Sequence, residues 1–188
     1  MNAIAIVRPD ETWPAQFDKT ARVVRGALGD VAQRVDHIGS TSVPGLAAKD
    51  ILDLQVTVAS EPDLDVAVER MTAIDWDFRT AAQRDHPVPG LPADEREWVK
   101  RLVVEPMYRR RVNLHIRVAG RANQRYALLF RDYLRSHPDT AQAYGEFKRR
   151  AAMLPFDSVG DYADLKDPVC DLIYLPAEEW AARTNWTI

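Results

Sequence analysis

The chain has 188 residues, of which 46% are apolar and 28% charged, with a formal net charge of -3. That mixture belongs to a globular protein rather than a disordered one, and the length suits one domain over residues 1–188 with its own core. The slight acidity speaks against broad coating of nucleic acid, and no apolar run approaches the ~20 residues of a membrane helix.

The start, Met1 to Asp10, lacks the basic-then-apolar layout of a secretory signal. The single cysteine, Cys170, cannot close an internal disulfide and fits a reducing compartment. A soluble, cytoplasmic protein is the expectation.

In chain order, the weakly alternating run from Ala3 to Val7 reads as a short edge strand. Pro14 sits well at a helix start, where its missing N–H costs nothing. Phe17, Ala21, Val24 and Leu28 then recur at helical spacing and predict a helix from Ala15 to Leu28, ended by Gly29, with Trp13 packed beneath it. Val35 to Ile38 predict a strand. Ile51 to Val58, apolar on both faces, predict a buried central one. Pro62 opens a helix from Asp63 to Thr72, and Trp76 and Phe78 make a brief strand. From Thr80 to Glu97 three prolines, a glycine and many charges predict a long loop, of the kind that is often functional or mobile.

Trp98 to Val104 and Arg111 to Val118 predict an antiparallel pair. In the second strand Val112, Leu114, Ile116 and Val118 share one face, and Arg111, Asn113, His115 and Arg117 share the other. Three helical stretches follow: Asn123 to Ser136, Thr140 to Met153, and Val159 to Arg183 with a kink expected at Pro168. Strands fill the first two thirds and helices the last, so the class is α+β, a mixed sheet with helices packed on it.

Chemistry concentrates between the first two long strands. Gly39 allows a close ligand approach, and Ser40, Thr41 and Ser42 offer hydroxyls and N–H groups at the start of a short helix, where an anion is favoured. Capping by Ser40 or Thr41 explains the same residues without a ligand. Asp53 is an acid in an apolar strand and needs a partner. A site role and a structural ion pair with Lys49 or an arginine both answer that need. His115 divides evenly between site residue and satisfied core histidine, and His37 leans towards a structural hydrogen bond. Arg131 and Arg135, four apart on one helix, could clamp a phosphate, as could Lys148 further on; salt bridges to Asp132 and Glu146 are the alternative. Cys170, among apolar neighbours, reads as an inert buried thiol.

The segment HIGSTSVPGLAAK from His37 to Lys49, with Ile51-Leu52-Asp53-Leu54, closely resembles the GrpB family. Leu114-His115-Ile116, Phe130 to Pro138, and Tyr144 with Lys148 agree with it, so the resemblance runs from about Ile6 to Trp180. It implies a nucleotidyltransferase fold of the DNA polymerase β type, a module also found fused to dephospho-coenzyme A kinase.

In that fold a Gly-Ser turn precedes two acids one residue apart, which hold divalent metals against a nucleotide triphosphate. Mapped here, Gly39-Ser40 is the turn and Asp53 the first acid. Gln55, a neutral residue, stands at the second acid position, and His115 stands where a later strand supplies a third carboxylate. The implied cofactor is a divalent metal on Asp53 and His115, magnesium or manganese, with zinc brought in by the histidine donor. Two functions follow. One is metal-dependent nucleotidyl transfer with Asp53 and His115 catalytic, and Gly39, Ser40, Thr41, Ser42, Lys49, Arg131, Arg135 and Lys148 on phosphate. The other is a non-catalytic nucleotide- or coenzyme A-related binding module.

Overall fold

The computed structural model describes residues 4–106, 109–156 and 158–188, with Val159 placed by its backbone alone. Helix α1 spans Trp13–Leu28, where the expected periodicity buries Ala21, Val24 and Leu28 along one stripe. Gly29, at φ 54°, returns its N–H to the Arg25 carbonyl and closes the helix. Trp13 begins the helix, is buried, and donates its indole N–H to Asp50 at 2.9 Å.

Five strands form one mixed sheet: β1 (Arg34–Ile38), β2 (Leu52–Val58), β3 (Asp77–Phe78), β4 (Lys100–Val104) and β5 (Val112–Val118), in the spatial order β1-β2-β5-β4-β3. Only β2 and β5 run parallel; the other neighbours are antiparallel. The crossover between the parallel pair carries helix α2 (Pro62–Thr72), β3 and β4. The expected edge strand near the N-terminus is not part of this sheet. Val7 makes one antiparallel bridge to Ala48, and Ala3 lies outside the described residues.

Register decides what the two faces of the sheet become. One face presents Leu54, Val56 and Val58 of β2 beside Leu114, Ile116 and Val118 of β5, and α1 and α2 cover it. Each fully buried leucine there contributes about 1.5–3 kcal/mol. The opposite face carries Asp53, Gln55 and Thr57 beside Asn113, His115 and Arg117, pair by pair. Helices α3 (Ala122–Ser136), α4 (Pro138–Ala151) and α5 (Val159–Thr184) form the C-terminal part, with their own apolar cluster of Leu129, Leu134, Tyr144 and Tyr174. Pro168 and Pro176 both sit inside α5, which remains one helix. Among the described residues no helix is long and apolar enough to cross a membrane.

A polar face packed under helices must satisfy itself internally. Arg117 does most of this: it donates to Gln55 Oε1 at 2.6 Å and to both oxygens of Asp85 at 2.8 and 2.9 Å. Lys100 adds 2.6 Å to Asp85, and Asn123 adds 3.1 Å. Burial alone would neutralise Asp85, but Arg117 and Lys100 hold its carboxyl well below the usual range. Asp85 comes from the long Thr80 to Glu97 loop, which the sequence marks as functional or mobile. Its middle is anchored by the half-buried Asp85 and by Val88, packed with the helical cluster. Replacing Asp85 with alanine strands two buried cations and should cost roughly 3–5 kcal/mol, read by urea denaturation; a change under about 1 kcal/mol would show that the network does not hold the loop.

Candidate functional site

The site lies at the sheet edge where β1 ends and β2 and β5 begin. Ile38, the last residue of β1, is register partner to Asp53, so Gly39 follows directly above the carboxylate. Gly39 has φ 67°, and a methyl group on it would stand 2.5 Å from Asp53 Oδ2. Both the backbone turn and the close approach therefore require glycine.

The short helix expected after Gly39 is a single 3-10 turn, Ser40–Ser42. Its hydroxyls are largely turned inward. Thr41 pairs with His37 Nε2 at 3.0 Å, Ser42 donates to the Gly39 carbonyl at 2.6 Å, and Ser40 accepts from Lys148 Nζ at 2.7 Å. His37 also stacks on Phe17 with ring centroids 4.8 Å apart, so it is structural.

The hydrogen-bond and ion-pair partners of Asp53 come from β5. Asn113, opposite in the parallel register, donates to Oδ1 at 2.9 Å, and His115 Nε2 stands 3.7 Å away. Burial opposes the charge on Asp53, but His115, Asn113 and Lys166 together hold its carboxyl below the ordinary value. His115 is pushed down to about 4, by burial first and then by Lys100, so it is neutral at pH 7. Its Nδ1 is buried without a hydrogen-bond partner among the described residues.

Three lysines complete the site. A cleft of about 270 Å³ is lined by Ser40, Asp53, Asn113 and His115 together with Lys49, Lys148 and Lys166. Lys49 and Lys166 lie 4.9 and 5.3 Å from the ring centre of Tyr162, and Lys148 lies 4.6 Å from that of Tyr144. Burial, and then the charge of Lys166, lowers both Lys49 and Lys148, the latter to about 7. Burial raises the Tyr162 hydroxyl to about 12, and its oxygen is unpaired among the described residues.

Of the sequence-derived candidates, Gly39, Ser40, Thr41, Lys49, Asp53, His115 and Lys148 thus meet at one place. Arg131 and Arg135 stand elsewhere. Arg131 donates to the His37 carbonyl at 3.1 Å and pairs with Asp132, and Arg135 donates twice to the Ser42 carbonyl at 3.0 and 2.8 Å. They brace the turn from outside the cleft, and the buried Ser42 lies on that side. Asn113, Tyr162 and Lys166 carry more of the site than their sequence context indicated. The alternation of β5 put Asn113 on the face of His115, its place opposite Asp53 follows from the β2–β5 register, and Tyr162 and Lys166 share a side of α5 through their four-residue spacing.

The donor set does not fit a pair of divalent metals. Among the described residues Asp53 is the one carboxylate lining the cleft, and the Gln55 side chain is fully buried, its oxygen held by Arg117 and its nitrogen by the Gln124 carbonyl. Among the described residues no three His, Cys, Asp or Glu side chains gather as a metal site. Hard cations need anionic oxygens, and the surroundings here are cationic.

The GrpB protein family model matches residues 3–175. The chain belongs to the GrpB family. A crystal structure of conserved protein GrpB from Enterococcus faecalis superposes with a TM-score of 0.75 at 28% identity, covering 94% of this chain and 99% of that one. A dephospho-CoA kinase of Mycolicibacterium paratuberculosis is 36% identical over 97% of this chain and 48% of its own length. A UPF0157 protein of Halalkalibacterium halodurans is 30% identical over 89% of this chain and 78% of its own. The chain thus spans about half the length of the kinases it matches.

Gly39→Ala should destabilise the protein by roughly 2–4 kcal/mol, combining backbone strain with displacement of Asp53; thermal unfolding within error of wild type would contradict the close approach. His37 and His115 set an acid limit. Both bind a proton at 6.5 when unconstrained but only near 4 in the fold, so protons favour the unfolded chain. Stability should fall as pH drops from 6.5 to 4, by roughly 3 kcal/mol per histidine. Urea titrations across that window should flatten when both are replaced by glutamine; an unchanged slope would place the acid sensitivity elsewhere.

Proposed function

We propose that this protein binds a phosphorylated small molecule, linked to coenzyme A metabolism, without transferring a nucleotidyl group. The carrying observation is the convergence of Lys49, Lys148 and Lys166 on a cleft that holds one carboxylate. Three ammonium groups with one acid leave an excess of positive charge in a half-enclosed space. Lys49 and Lys148 are both weakened as bases, by burial and by Lys166. An entering phosphate relieves that repulsion and restores their charge. The link to coenzyme A comes from the mycobacterial-type relatives named dephospho-CoA kinase, in which a region like this chain makes up about half of the protein.

In this reading the residues share the work plainly. Lys148, held by Ser40 and the Ala47 carbonyl, and Lys166 hold phosphate oxygens. Asp53 with Asn113 fixes the floor of the cleft and accepts a ligand hydroxyl or N–H. Tyr162 keeps two of the lysines aimed inward through its ring.

A second reading is metal-dependent nucleotidyl transfer on a nucleotidyltransferase-like fold, with Asp53 and His115 holding magnesium, manganese or zinc. The contact of Gly39 with Asp53 favours it, since a Gly-Ser turn against an acid is the layout such transferases use. Against it stand Gln55 locked beneath Arg117 and the cationic surroundings. Nucleotide turnover that needs a divalent ion and disappears in Asp53→Asn would establish this second reading.

Titration with inorganic pyrophosphate tests the first. Calorimetry should show binding without added metal, weakened about tenfold or more by Lys148→Met or Lys166→Met. Lys148 titrates at about 7 in the free protein, so at pH 8 binding should take up a proton. That uptake, measured in buffers of different ionisation enthalpy, should vanish in Lys148→Met. No binding heat, or affinity indifferent to both lysines, would remove the reading.

A further inference from the structure

A second cleft, of about 290 Å³, opens on the other side of Asp53, and the two share Asp53, His115 and Lys166 in their walls. Its character is different. Tyr126 and Phe130, one turn apart on α3, line it with rings stacked at 5.8 Å and 21°, and Ile38 adds an apolar wall. Asp167 and His86 stand on the same cleft, 3.8 Å from each other, and burial raises the Asp167 carboxyl above its ordinary value. Asp85 also borders it but is fully engaged by Arg117 and Lys100.

We propose that the two clefts form one bipartite site for a nucleoside phosphate, with the phosphate among the lysines and an amino-bearing base, of the adenine kind, against Tyr126 and Phe130. The proposal rests on the phosphate-binding reading above and names its ligand class. Three features carry it. Ligand pockets run from about 300 Å³ upward, so each cleft alone is small and the joined pair suits a nucleotide. The polarity fixes the orientation: lysines dominate one end, whereas the acid at the other repels phosphate and accepts an exocyclic N–H. Tyr126 is itself packed between Phe130 and Tyr174, so Phe130 offers the aromatic surface for a flat heterocycle, and stacking on such a ring is favourable for any base. Asp53 lies at the junction, where a ribose hydroxyl would pass.

Calorimetry on the full chain with adenosine monophosphate, inosine monophosphate, ribose 5-phosphate and 4′-phosphopantetheine tests the arrangement. Adenosine monophosphate should bind roughly ten- to a hundredfold more tightly than ribose 5-phosphate, the range base stacking supplies. Phe130→Leu should abolish that advantage while leaving ribose 5-phosphate unchanged. Asp167→Asn, at a partly exposed position, should erase the preference for the adenine over the inosine compound. Equal affinity for adenosine monophosphate and ribose 5-phosphate, or tighter binding of phosphopantetheine, would overturn the base subsite while leaving the phosphate site standing. If none of the four binds, both readings fall together.

Discussion

The contact between Gly39 and the Asp53 carboxylate is the constraint around which the rest of this molecule is arranged. It forces the chain leaving β1 through a left-handed turn directly over the first polar residue of β2. The following 3-10 turn then places Ser40 beside Lys148, while Arg131 and Arg135 hold the carbonyls of His37 and Ser42 from the far side. A carboxylate pressed on bare backbone cannot be surrounded by water. It depends on Asn113 and on nearby positive charge to remain ionised. Turn, strand register and the lysines of α4 and α5 are thus parts of one electrostatic arrangement.

Much of the fold was legible because the periodicities were clean. The alternation in β5 assigned its two faces correctly, and the stripe of Ala21, Val24 and Leu28 marked α1 to within two residues at its start. What failed had little periodicity to read. Ala3 to Val7 are apolar enough for a strand, but one bridge to Ala48 is all that Val7 forms. Ser40 to Ser42 have the composition of a helix start but close after one turn, since Val43 is already extended.

The site was legible in part, for a different reason. Residues close in sequence, Gly39, Ser40, Lys49 and Asp53, announced themselves as a group. His115 was named from the alternation of its strand and Lys148 among the basic residues, the family resemblance agreed with both, and both line the cleft. The alternation of β5 put Asn113 on the face of His115, but that this face meets Asp53, and that Lys166 reaches it, depends on which strand lies beside β2 and on where α5 is laid down. Arg131 and Arg135 illustrate the opposite error. Their four-residue spacing does put them on one helix face, but that face meets backbone carbonyls, the acceptors nearest to hand. Spacing gives a shared direction and does not say what waits there.

Gln55 shows how the polar face of the sheet bears on function. The Gln55 side chain lies under Arg117, which is already bidentate on Asp85, in a network of two cations and one acid completed by Lys100. Glutamine accepts from Arg117 and donates to the Gln124 carbonyl, satisfying both ends of its amide at no charge. The buried network takes up this strand position, and Gln55 lines neither of the two clefts beside Asp53. Asp53 is left as a lone acid among lysines. A hard metal needs more carboxylate than Asp53 alone to overcome the repulsion of the ammonium groups around it. Gln55 thus closes the polar face of the sheet, and Asp53 is left facing Lys49, Lys148 and Lys166 across the cleft.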